Sequence, residues 1–184
     1  MAEYYLISQL PCLDGLGENS PVPITEARFL ELCERFLGKK AQNEIKKLTL
    51  LPPITPIKSS SAVVNAFSEG ERNLRLALAR VRAEKMKKTF DTENESFSVE
   101  LMKVVNAAAE MESPMAAEQF LSDYRLKFLE SIRPTDAFSQ EFLFYYGLKL
   151  KLILHKRQFD AKLGEAEYKN IYDSILNGDR LEAI

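Results

Sequence analysis

Ser139-Gln140-Glu141-Phe142-Leu143-Phe144-Tyr145-Tyr146-Gly147-Leu148-Lys149-Leu150-Lys151-Leu152-Ile153-Leu154-His155-Lys156-Arg157-Gln158-Phe159 is the stretch that decides the fold. At ~100° per residue, Leu143, Tyr146, Leu150, Ile153 and Leu154 share one helical face, with Phe142 at its border. Tyr145, Leu148, Leu152 and Phe159 share the opposite face. Lys149 and Lys156 run up one flank, and Lys151, His155 and Gln158 run up the other. A helix with two apolar faces and two polar seams is covered on both sides. It forms the centre of a bundle, or it turns one face to a partner. It is not a membrane span, because Lys149 and Lys151 interrupt an apolar run that would need ~18 residues.

Helical periodicity continues outward in both directions. Upstream, Ser113-Pro114 opens a helix with a serine cap and a proline in the first turn, where the missing N–H costs nothing. That helix carries Phe120, Leu121, Tyr124, Phe128 and Ile132 on one side and ends before Pro134. A helix near 97–111 precedes it, and a last one is expected over 163–176, with Gly178 after it. Before the acidic connector 91–96, a longer helical pattern spans 60–88, bent or restarted at Gly70. Pro52, Pro53 and Pro56 break the chain, and a short helix is expected around 41–50. Thr25 caps another helix, with Glu26 in its positive first turn and Phe29, Leu32, Cys33 and Phe36 on one face. Gly38 is its expected stop. Residues 11–23, with Asp14-Gly15, Gly17 and three prolines, read as a loop. The opening Tyr4-Tyr5-Leu6-Ile7-Ser8-Gln9-Leu10 fits a short helix or a strand.

The expected architecture is therefore all-α: an irregular bundle of six to eight helices in one domain over 1–184. The connector marks a possible joint between lobes 1–90 and 97–184. The 184 residues, 46% hydrophobic and 28% charged, suffice for one core of ordinary size. A net charge of −2 lacks the basic footprint of a nucleic-acid-binding protein. The two cysteines, Cys12 and Cys33, form no CxxC pair and point to a reducing compartment. The N-terminus has no basic stretch ahead of an apolar run, so a cytoplasmic location is expected.

The catalytic inventory is thin. His155 is the only histidine, which excludes zinc sites and di-iron bundles that need two imidazoles. Cys33 lies on an apolar face and reads as a structural thiol. Gly15-x-Gly17 lacks the third glycine of a dinucleotide loop, and no phosphate-binding GxxxxGK[ST] occurs. A calcium loop over 91–102 fails, because Ser96 stands where glycine is needed and Met102 where a bidentate glutamate is needed. No enzyme activity, cofactor or metal is expected. The strongest local charge feature is 72–88, with seven Lys or Arg against Glu84 alone. It reads as a solvated helix first, then as a dock for an acidic protein surface, and least as a nucleic-acid contact. It has no aromatic residues to stack bases. Arg72, Arg75, Arg80 and Arg82, with Lys149 and Lys151 on the helix 139–159, are the candidate partner-binding residues.

Several blocks in order carry a family resemblance. They are Tyr4-Tyr5-Leu6-Ile7-Ser8 with Leu10-Pro11, Phe29-Leu30-Glu31-Leu32-Cys33, and Asn73-Leu74-Arg75 with Ala77-Leu78-Ala79-Arg80 and Arg82-Ala83. They continue with Pro114, Glu118-Gln119-Phe120-Leu121, Arg125 and Phe128-Leu129-Glu130, then Phe142-Leu143, Tyr145 and Lys149-Leu150-Lys151 through Arg157, Phe159-Asp160 and Gly164. The chain resembles an uncharacterised bacterial family associated with V-type ATP synthases, itself similar to the helical C subunit of those rotary enzymes (subunit d in eukaryotic V-ATPases). The resemblance implies a non-catalytic subunit or accessory whose partners are V-type ATPase subunits on the central-stalk or membrane-rotor side. It implies no nucleic acid and no membrane insertion, only a peripheral position held through the complex. In the C subunit a funnel of helices couples the central stalk to the membrane rotor. This chain is much shorter, which fits a truncated C-like subunit, an assembly factor or another accessory. The alternative is a stand-alone helical adaptor or assembly factor with an unrelated partner.

Overall fold

The computed structural model describes residues 2–16, 20–52, 58–88, 96–158, 168–172 and 174. Seven helices follow in order: α1 Ala2–Gln9, α2 Glu26–Phe36, α3 Lys39–Lys46, α4 Ala62–Lys85, α5 Val99–Glu110, α6 Pro114–Ser131 and α7 Gln140–Arg157. Residues 168–172 and 174 are also helical, and no strand occurs among the described residues. The fold is all-α, a multi-helix bundle.

Five of the helices start on the same device. The hydroxyls of Thr25, Ser61, Ser98, Ser113 and Ser139 accept from the backbone N–H three residues on, satisfying donors that have no partner inside the helix. The opening segment is a helix, with Leu6 and Ile7 turned into the core. Its outward Tyr4 ring stacks on Phe138 with centroids 4.8 Å apart.

Two glycines behave differently from expectation. Gly38 does not end α2 in a left-handed turn. It keeps φ at −70° and serves as the N-cap of α3, while α2 closes on extended Leu37. A left-handed stop is not required, because the Gln42 side chain donates to the carbonyls of Leu37 (2.6 Å) and Glu34 (2.8 Å). Gly70 does not restart α4, which is continuous from Ala62 to Lys85. A Cβ there would lie 2.3 Å from Cε1 of Phe128, so the absent side chain lets α6 press against α4. Gly147 does the same on α7, where an added Cβ would meet Leu48 at 2.9 Å and Phe29 at 3.2 Å.

Helix α7 is the central element that its two apolar faces imply: every residue from 143 to 150 is buried. Its start is tied to that of α4 by Glu141, whose carboxylate accepts from the Ser61 hydroxyl (2.8 Å) and the Val63 N–H (3.1 Å). Helix α6 runs back alongside both. Arg125 reaches Glu71 on α4, Tyr145 reaches Glu130, and Lys156 reaches Asp123. The Lys85 ammonium donates to the Ala109 carbonyl, which brings the C-terminal ends of α4 and α5 together. It also places a cation on the negative end of α5, a helix with no basic residue in its own last turn.

The buried side chains form two clusters. The first joins α1, α2, α3 and α7 with Val63 and Phe67 from the start of α4 and Leu129 from the end of α6. The second joins Leu74, Ala77, Leu78 and Val81 of α4 with Leu101, Val105 and Ala108 of α5 and Leu121 of α6. The division crosses α4 and α6, and does not separate lobes 1–90 and 97–184. Both long helices belong to both clusters, because each is amphipathic over a length that one cluster cannot cover. Residues 91–95 of the acidic connector, and the expected helix 163–176 apart from 168–172 and 174, lie outside the described residues.

Candidate partner-binding surface

Four of the six candidate residues lie on the second half of α4, all on the solvent side. Arg72, Arg75 and Arg82 fall at i, i+3 and i+10 and share one flank, while Arg80 lies across the outer face. Arg75 donates to Glu71 at 2.7 Å, and Arg80 pairs with Glu84 at 3.1 Å. Both guanidinium side chains remain 44% exposed, so each keeps donors turned to water. Lys85, Lys87 and Lys88 extend the same charge past the end of the helix, with Lys87 in the left-handed region at φ 54°. Of the two ion pairs, only Arg80–Glu84 is exposed on both sides, and a surface pair of that kind contributes roughly 0–1 kcal/mol.

Lys149 and Lys151 are placed elsewhere, on α7. Lys149 is only 7% exposed. Its ammonium donates to Asp14 and Glu130, and to the Tyr145 hydroxyl at 3.2 Å. Tyr145 in turn donates to Glu130 at 2.6 Å. Burial by itself would depress the Lys149 pKa, but these acceptors outweigh it and hold the ammonium above its usual range. The hydrogen bond from Lys149 holds the Asp14 carboxyl below its ordinary value. Glu130 is also lowered: burial raises it, and the bonds from Lys149 and Tyr145 more than compensate. Burial, with the bond to Glu130, pushes Tyr145 up to about 12. Lys151 bridges α7 to Glu26 of α2 at 2.5 Å and is largely covered. These two lysines hold the loop after α1 and the start of α2 onto α7. Within the fold they act as ties between elements, Lys149 nearly buried and Lys151 with 22% of its side chain exposed.

A second network links the two clusters. Glu71 is 3% exposed, and its carboxylate receives both Arg75 and Arg125. Arg125 also donates to Glu118 at 2.9 Å. Burial opposes the charge on Arg125, but the acids around it raise its pKa on balance. The sequence offered no reason to choose Glu71, Asp14 or Glu130 from among its 27 acids. The one available signal was an acid inside a basic helix, four residues before an arginine.

Among the described residues, no group of three or more His, Cys, Asp or Glu side chains is placed to hold a metal. A cavity of about 440 Å³ opens where Glu3, Lys40, Ser60 and Gln140 meet Phe36 and Ala41. It brings together one carboxylate and one ammonium, and no pair of acids. Cys33 is buried, and burial pushes its thiol up to about 12, well away from the range of a reactive thiolate. No helix among the described residues is long and apolar enough to cross a membrane. In comparisons with known proteins, the chain matches no family model, no curated protein and no solved structure.

Proposed function

We propose that this protein is a non-catalytic subunit or accessory of a bacterial V-type rotary ATP synthase, acting through protein–protein contacts made by the outer side of α4. The observation that carries the contact surface is the concentration of exposed Lys and Arg on residues 72–88 of a chain whose net charge is −2. Within the fold Arg75 pairs with Glu71, Arg80 with Glu84, and Lys85 reaches the Ala109 carbonyl, while Arg75 and Arg80 keep 44% of their side chains exposed. The assignment to the rotary enzyme rests on the ordered blocks that resemble the ATP-synthase-associated family. Its position would be peripheral, on the cytoplasmic side, reached through the complex. Purifying the chain with a tag, from cells that make the rotary ATPase and under conditions that keep the rotor intact, tests this. Central-stalk or rotor subunits are expected in the eluate. Recovery of the chain alone would reject the assignment, and recovery with an unrelated protein would point to an independent helical adaptor.

A further inference from the structure

Helix α5 is held to the described body of the protein mainly by α4 and α6, and it buries only Leu101, Val105 and Ala108. The cluster it completes has no aromatic side chain among its buried members, and two of them are alanines. The other cluster buries Phe29, Phe67, Phe144, Tyr145 and Tyr146. Between the two, the packing changes character. On α4, Gly70 and Glu71 stand between Phe67 and Leu74; on α6, Ser122 and Arg125 stand between Leu121 and Leu129. Glu71 is 3% exposed and holds the Arg125 guanidinium at 2.9 Å. The Ser122 hydroxyl, on a residue 1% exposed, has no hydrogen-bond partner among the described residues.

A polar line of this kind is where water enters at least cost. Hydration returns part of the desolvation penalty that a buried carboxylate and guanidinium carry, and it gives Ser122 the partner it lacks. Apolar burial opposes opening in proportion to its area, and the α5 cluster is the smaller of the two. From this we infer that the α5 cluster opens as a unit while the other stays folded. Helix α5 lifts from α4 and α6, and the line from Gly70 and Glu71 to Ser122 and Arg125 is the edge of the part that remains. Such a detachable cover exposes Leu74, Leu78, Val81 and Leu121 without unfolding α7. This opening does not depend on which partner the outer side of α4 binds.

Hydrogen exchange of the full chain, followed by mass spectrometry in native buffer and in low urea, tests this. After correction for intrinsic rates, amides of α5 and of 74–85 are expected to exchange about a hundredfold faster than those of 143–150. Their dependence on urea should also be weaker, because local opening exposes less surface than complete unfolding. Two variants separate the two processes. Leu148→Val weakens the cluster that stays folded, so it should speed exchange in α7 and leave α5 unchanged. Ser122→Ala removes the unpartnered hydroxyl and should slow exchange of α5 about tenfold. Circular dichroism of each variant checks that its helices are retained. Equal protection of α5 and α7, or equal acceleration of both by Leu148→Val, would show one cooperative unit and overturn the opening. Unchanged exchange in Ser122→Ala would overturn the polar line as its edge.

Discussion

Replacing Lys149 and replacing its partners are different operations, because only the lysine is buried. Asp14 and Glu130 keep about half their side-chain surface in water (54% and 43% exposed) and can hydrate if the ammonium goes. Lys149→Met, which fills the same space, should therefore cost only about 1 kcal/mol in urea unfolding, whereas Asp14→Asn with Glu130→Gln strands a buried cation and should cost about 3 kcal/mol. Both acids have folded pKa values below their unfolded ones, so their contribution is complete above the ordinary carboxylate range of about 4 and is lost as pH falls below it. The lysine is raised, so its share is complete below about 10.5 and lost only at more alkaline pH. Unfolding free energy measured against pH should show a steeper acid decline in the native chain than in Lys149→Met. Identical acid limbs would show that the cluster is not coupled as described. Gly70 gives a second test. Alanine in a helix interior gains about 1 kcal/mol over glycine, but here it forces the Phe128 ring aside, and such overpacking costs about 1–3 kcal/mol. Gly70→Ala should be destabilising in the native chain and stabilising in a Phe128→Ala background. The same sign in both would remove the close approach as the reason for glycine.

At the scale of elements, α7 depends on its own cap and supplies part of another. Glu141 lies in the first turn of α7 yet accepts from Ser61 and Val63 at the positive end of α4. Glu141→Ala removes a charged acceptor from two donors, one of them the fully buried Ser61, and should cost about 2 kcal/mol. Glu141→Gln should recover much of the loss, and no loss in Glu141→Ala would contradict the tie between the two helices. Such long-range contacts mark the limit of what the sequence made legible. Helix positions could be read because the caps at Thr25 and Ser113 and the 3–4 spacing of Phe29, Leu32 and Cys33 are local signals. The double burial of α7 followed from its two apolar faces. The stop of α2 at Gly38 was read correctly, but its extended conformation and the packing role of Gly70 depend on Gln42 and Phe128, which only the fold brings near. Lys149 and Lys151 counted as surface candidates because lysine in a polar seam is usually solvated, and nothing nearby in sequence named Asp14, Glu130 or Glu26 as the groups that would enclose them. The four arginines of α4 drew notice because their charges crowd one helix.

For the molecule as a whole, the decisive arrangement is that α4 and α6 run through both buried clusters and are joined between them by Glu71, Arg125 and Glu118. A chain held this way commits one side of the second half of α4 to the interior and carries exposed arginine and lysine on the other. Function would then reside on the outer face, and substitutions there should change binding without changing stability. The tagged purification of Arg80→Glu with Arg82→Glu measures this directly, with the unfolding curve of the same sample beside it. The expected result is a native unfolding curve and loss of the ATPase subunits that accompany the unaltered chain. A native curve with those subunits still bound in full would contradict the assignment of the working surface to α4.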